Sequence, residues 1–177
     1  GLSVIHGWGR FDGPEPDGRF RVAVGDRILR ARHVYLNTGT RPFLPEVPGI
    51  DSIAPLDNAG LLALNERPEH LVVVGGSYIG LELGQIFARL GSRVTILHRA
   101  GRLAEREDAD VSGIITDIMR AEGIDLRLNA AIASVGRSMR GVLVTLADGA
   151  EITASHILFA TGRIPNTDGL NFAAVGL

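Results

Sequence analysis

Gly75-Gly76-Ser77-Tyr78-Ile79-Gly80, set between an apolar run and a helical pattern, restricts this 177-residue chain more than any other feature. Leu71-Val72-Val73-Val74 is apolar without alternation, as a short strand buried on both faces requires. Beyond the glycines, Ile79, Leu83, Ile86, Phe87 and Leu90 recur at helical spacing and predict one apolar face. Gly80, Gly84 and Ala88 form a stripe of small residues that lets such a helix press close to a sheet. Gly75 permits a tight turn, and the free amides that open the helix suit a diphosphate. Ser77 takes the place of the middle glycine in the usual dinucleotide pattern, where a small hydroxyl is still accommodated. The alternative at this point is a glycine-rich strand-helix turn with no ligand.

The segments that follow extend the pattern. Arg93 to Leu97 predicts a second strand, Val111, Ile114, Ile115, Ile118 and Met119 a second helix, and Asp125 to Leu128 a third strand. This order implies a parallel sheet with right-handed crossovers, a Rossmann-like doubly wound α/β unit. Val142 to Leu146, a turn at Asp148-Gly149, Glu151 to Thr153 and a last apolar strand, His156 to Ala160, add an antiparallel meander. Ahead of the unit, Phe20 to Val24, a turn at Gly25-Asp26 and Ile28 to Arg30 read as a hairpin. Pro42, Pro45, Pro48 and Gly49 then mark an extended connector with a short helix near Asp57 to Leu64.

An internal echo bears on domain organisation. Residues 31–42, ARHVYLNTGTRP, align without gaps on residues 154–165, ASHILFATGRIP, with five of the twelve places identical. Two related folds, each ending in a hairpin, a buried strand and a Thr-Gly turn, would account for it, as would chance similarity between strand-turn segments. On the first account the earlier copy lacks its β-α-β core, so the chain is expected to be part of something longer. Residues 1–41 are then expected to be poorly ordered, with strands that are short or mobile. The resulting division is 1–41, a connector at 42–67, a dinucleotide-binding domain at 68–162 and a return segment at 163–177. The lone tryptophan, Trp8, is expected to be a core or edge aromatic.

The end of the second predicted strand bears on cofactor choice. NAD-preferring sites commonly place an acid there to hold the adenosine ribose, whereas here His98 is followed by Arg99, Arg102 and Arg106. Such a basic island predicts NADPH over NADH, through charge-assisted hydrogen bonds to the 2′-phosphate. The alternative is a solvated loop whose arginines pair with Glu105, Glu107 and Asp108. A formal charge of -2 supplies no general attraction to nucleic acid or anionic membrane, and no apolar stretch has the length of a spanning helix. A cytoplasmic location is the expectation. Absence of cysteine excludes a redox thiol within these residues, and five scattered histidines do not suggest a metal site.

These motifs together, TGTRP at 38–42, VPGI at 47–50, GGSYIGLE at 75–82 and ATGRIPNT at 160–167, resemble the class I pyridine nucleotide-disulfide oxidoreductases almost end to end. LGSRVTILHRAGRLAEREDADVS, 90–112, is most like the mercuric-reductase-like branch. The resemblance implies that residues 1–41 are a β-rich segment of an FAD-binding domain and that the parent protein is a homodimer carrying FAD, with hydride passing from NADPH to flavin. It further implies that Gly75, Gly76, Ser77, Ile79 and Gly80 surround the dinucleotide. Tyr78 matches the aromatic that covers the flavin until nicotinamide displaces it, or else is simply packing. Glu82 matches the acid near the nicotinamide, or is a surface helix charge. Arg99 and Arg106 match basic residues associated with the 2′-phosphate, Gly162 and Arg163 the turn that meets the nucleotide, and Thr38 and Gly39 a contact to FAD, while Asn166 shapes the return to the flavin domain. No catalytic residue is implied here, because the redox cysteines and catalytic histidine of the family have no counterpart in these residues, and the isolated chain is expected to be inactive. A flavin reductase without a redox disulfide, or a stand-alone nucleotide-binding module, are the competing readings.

Overall fold

A computed structural model describes residues 1–177. It divides into two units, Gly1–Arg41 with Ile164–Leu177, and Pro42–Arg163.

In the first unit, β1 (Gly9–Pro14), β2 (Phe20–Val24) and β3 (Arg27–Ala31) form an antiparallel meander, with Gly25 in the left-handed region at the β2–β3 turn. The small core centres on Phe11, whose ring lies 6.0 Å from those of Phe20 and Phe172. Trp8 stands 97% exposed, so it belongs neither to a core nor to a packed sheet edge. The strands are five or six residues long, and β3 leaves Ile28 and Leu29 partly in water. The echo also has an unequal outcome. His156 to Phe159 is a strand, but the matching His33 to Leu36 is not, and Tyr35 is 90% exposed. The difference is one of partners: the later copy pairs in parallel with a strand beginning at His70, and no such neighbour flanks residues 33–36. Thr40–Pro42 (β4) and Arg163–Pro165 (β12), from the ends of the two copies, form a two-stranded sheet.

The second unit is built on a four-stranded parallel sheet. Its strands are β5 (His70–Val74), β6 (Arg93–Leu97), β7 (Asp125–Arg127) and β11 (His156–Phe159), in the order β11-β5-β6-β7. Helices α2 (Tyr78–Arg89) and α3 (Ala109–Ala121) make the crossovers. A second sheet is the antiparallel meander β8 (Ile132–Ser138), β9 (Gly141–Leu146) and β10 (Glu151–Ala154). Alternation along β5 explains why its sequence is continuously apolar. Leu71 and Val73 join Leu83, Phe87, Ile96 and Met119 in the core under the helices, while Val72 joins Val144, Leu146 and Ile157 in a core shared with the meander.

Three details depart from the pattern read in sequence. On α3 only Ile115 and Met119 of the five apolar residues turn inward, whereas Val111, Ile114 and Ile118 remain exposed. The helix lies over the sheet's edge strand, β7, three residues long, which is too narrow to cover the whole stripe. Strand β8 had no recognisable alternation because it carries a bulge between Ile132 and Ser134 and buries only Val135 fully. Residues 42–67 pack into the core. Leu56 bridges to Leu158, Leu61 is 1% exposed in the core, and the Val135 amide donates to the Pro48 carbonyl. The short helix α1 (Asn58–Leu62) is capped by Asp57, which accepts from the Gly60 amide at 2.7 Å.

His70, at the base of β5, is buried, with its ring nitrogens 3.0 Å from the Thr153 carbonyl and 3.0 Å from the Thr95 hydroxyl. Burial pushes its pKa below the ordinary imidazole value; the Thr153 carbonyl opposes this and the Arg93 charge adds to it. A histidine held neutral in the fold binds a proton more readily once unfolded. Stability is therefore full above the ordinary value and is lost as pH falls below it. Urea denaturation is expected to show a lower midpoint at pH about 5.5 than at about 7.5, a window above the carboxylate range. Equal midpoints would remove this role for His70.

Candidate functional site

The carboxyl ends of β5 and β11 meet where the strand order of the parallel sheet reverses, the position at which open α/β sheets take their ligands. Gly75 makes the turn out of β5 with φ +120°, its amide donating to the Leu97 carbonyl at 2.9 Å. A Cβ on it would lie 2.3 Å from the Ala160 carbonyl oxygen, and one on Gly80 would lie 2.0 Å from the Gly75 carbonyl oxygen. Both glycines are thus demanded by backbone packed on backbone.

Ser77 occupies the N-cap of α2 in an extended conformation, and its hydroxyl makes no capping bond. Leu81 is the first residue whose amide reaches an intrahelical acceptor, the Ser77 carbonyl at 3.0 Å. The amides of Tyr78, Ile79 and Gly80 therefore open the helix without an acceptor from the protein, at its positive dipole end. An anionic diphosphate fits this end in both charge and donor supply.

The loop after β6 is fastened to this turn through Gly76. Its carbonyl accepts from the Ala104 amide at 2.7 Å, and its amide donates to Nδ1 of His98 at 3.1 Å. Leu103 and Ala104 are buried beneath the turn, with Ala104 at φ +45°, and the Leu103 carbonyl accepts from the Ser112 hydroxyl. Their two apolar side chains inside a charged loop were the available sequence signal for this anchoring, which sequence reasoning missed.

Arg99 and Arg106 are exposed on the anchored loop, and neither forms an ion pair. The pairing with nearby acids left open in sequence does not form: Arg102 donates to the Glu105 backbone carbonyl, and Glu107 accepts from the Tyr78 hydroxyl. That bond raises the Tyr78 pKa, since a neighbouring carboxylate disfavours a phenolate. Tyr78 is 59% exposed and Glu82 is exposed on the second turn of α2. His98 is placed differently from a ribose ligand on the surface: it is 7% exposed and bonded to the glycine turn. Gly162, at φ +146°, follows β11 and its carbonyl accepts from the Phe43 amide, while Arg163 reaches the Asn58 side chain at 3.5 Å. Thr38 and Gly39 belong to the other unit, where their carbonyls accept from the side chain and backbone amide of Asn166.

Comparison with known proteins gives a consistent picture. The family model described as pyridine nucleotide-disulphide oxidoreductase matches residues 1–177. A mercuric reductase of Streptomyces lividans is 40% identical over 184 residues, covering all of this chain and 38% of that protein. The solved HOCl-induced flavoprotein disulfide reductase RclA of Escherichia coli superposes with a TM-score of 0.81 at 35% identity, over 99% of this chain and 39% of that one. An engineered water-forming NADPH oxidase bound to NADPH, derived from the Lactobacillus brevis NADH oxidase, superposes with a TM-score of 0.68 at 25% identity, over 90% of this chain and 38% of that one. Its stated changes replace an aspartate by alanine and introduce two arginines. The chain thus spans under two-fifths of the relatives it matches. No helix is long and apolar enough to cross a membrane.

Proposed function

The chain belongs to the pyridine nucleotide-disulphide oxidoreductase family, and we propose that it is the portion of an FAD-dependent oxidoreductase that binds NADPH and directs its hydride toward the flavin. One observation carries this reading: three acceptor-free amides at the start of α2 stand beside a loop, anchored on the same turn, that presents two unpaired arginines. The amides of Tyr78, Ile79 and Gly80 would hold the diphosphate. Arg99 and Arg106 would hold the 2′-phosphate, and no acid stands at the end of β6 to favour a bare ribose diol. The engineered oxidase changed from an NADH to an NADPH enzyme by substitutions in the same chemical direction, acid removed and arginine added.

NADPH, when bound, supplies hydride. The residues of this chain would supply its place: the glycines would admit the diphosphate, Tyr78 would cover the approach to the flavin, and Glu82 would serve the nicotinamide. Residues 68–162 are the dinucleotide domain in this reading, and residues 1–41 with 163–177, Thr38 and Gly39 among them, belong to the FAD-binding portion of a homodimeric parent. Calorimetric titration with NADPH and NADH tests it, with NADPH expected to bind at least tenfold more tightly, about 1.4 kcal/mol. NADH binding as tightly as NADPH would overturn the preference, and binding of neither would overturn the site.

The likeness to a water-forming oxidase also supports a second reading, a flavin reductase without a redox disulfide. A cysteine pair next to the flavin in the intact protein selects the disulfide-type reading, and lack of one selects the oxidase type.

A further inference from the structure

His98 does not present its ring to solvent at the end of β6. We propose that His98 is a positioning residue that holds the phosphate turn and the arginine loop in register, through an unprotonated Nδ1 that accepts the Gly76 amide. This rests on the reading of that turn as a dinucleotide site. The tautomer follows from the bond: a backbone N–H can only donate, so Nδ1 carries the lone pair and Nε2 carries the proton. Nε2 is buried without a hydrogen-bond partner, so the ring is held by its bond to the Gly76 amide and by its burial beneath the turn. Gly76 in turn has no room to spare, since a Cβ there would meet Leu103 Cδ2 at 2.7 Å and His98 Cγ at 2.8 Å.

The Gly76 peptide is therefore gripped on both sides by one loop, its N–H by His98 and its C=O by the Ala104 amide. Arg99 follows the first grip and Arg106 lies just past the second. Protonation of Nδ1 replaces the acceptor with a donor facing the Gly76 N–H, and the grip is lost. Burial disfavours that protonation and Arg99 opposes it as well, while Glu105 and the Arg102 carbonyl favour it, with burial the largest influence. The clamp is thus set at neutral pH and released in acid.

The test uses His98→Asn, whose side-chain oxygen can accept the Gly76 amide without titrating, and His98→Leu, which cannot accept it. ADP-ribose is the probe, because it carries the diphosphate but no 2′-phosphate of its own to titrate near pH 6. At pH 7.5 the Leu variant is expected to bind about tenfold more weakly and the Asn variant within about threefold of wild type. Wild-type affinity is expected to fall as pH drops toward about 5.5, and the Asn variant is expected to lose that dependence. Nitrogen-15 resonance of the ring should show Nδ1 unprotonated at neutral pH, with the Gly76 amide shift moving as His98 titrates. A Leu variant binding like wild type, or an Asn variant keeping the full acid dependence, would overturn the proposal. If wild type binds no ADP-ribose at any pH, the site reading fails, and the resonance of Nδ1 and Gly76 still decides the clamp.

Discussion

Replacing Gly75 by alanine is expected to abolish dinucleotide binding and to destabilise the fold by about 3 kcal/mol or more. Two costs coincide at this residue. Its φ of +120° lies where L side chains rarely go, and the added Cβ would sit 2.3 Å from the Ala160 oxygen and 2.8 Å from its carbonyl carbon. Those atoms are backbone and cannot swing aside. Moving them means separating β11 from β5, which are joined there by the Ala160 amide donating to the Val74 carbonyl at 2.8 Å. Since the turn also aims the opening amides of α2, the relief of strain misdirects the donors. Gly113→Ala in α3 is the control: a Cβ there meets nothing within 4 Å, and alanine favours a helix, so stability should hold or rise slightly. Denaturation and calorimetry on both variants check the expectation. Gly75→Ala protein that is as stable as wild type and binds NADPH within about threefold would refute the packing account.

Removing both arginines, Arg99→Ala with Arg106→Ala, should weaken NADPH binding by roughly a hundredfold and leave NADH almost unchanged. The selectivity follows from charge, because only NADPH carries the additional phosphate, and the two side chains have no ion pair to break before meeting it. Both are exposed, so added salt should narrow the difference between wild type and the double variant. Equal loss of NADPH and NADH affinity would mean that the arginines serve the diphosphate or the fold instead. Loss of neither would remove them from the site.

Much of the second unit could be read directly from residue order. Leu71 to Val74, the glycines and the helical spacing from Ile79 onward give one local answer each, because strand, turn and helix here agree with their own propensities. Strand β8 could not be read in this way. With Val135 alone fully buried and a bulge at its start, it exists because β9 offers it a ladder. Residues 33–36 show the converse: their sequence matches that of a buried strand, yet they have no parallel neighbour and form none.

The site divides along the same line. Gly75, Gly80, Arg99 and Arg106 could be picked out because the part proposed for each depends on what it is: lack of a side chain, or a fixed charge on a loop. His98 was visible as a residue but not in its role, since the direction of its ring depends on Leu103 and Ala104 filling the space beneath the turn.

Order of elements, the glycine turn and the basic loop could be read from sequence alone, since each is marked by residue types at spacings that are local in the chain. Which way His98 faces, that Arg99 and Arg106 remain unpaired, and how residues 42–67 pack were decided only by tertiary structure. Those outcomes turn on contacts between segments distant in sequence, such as the Leu56 and Leu158 bridge, whose partners no local pattern encodes.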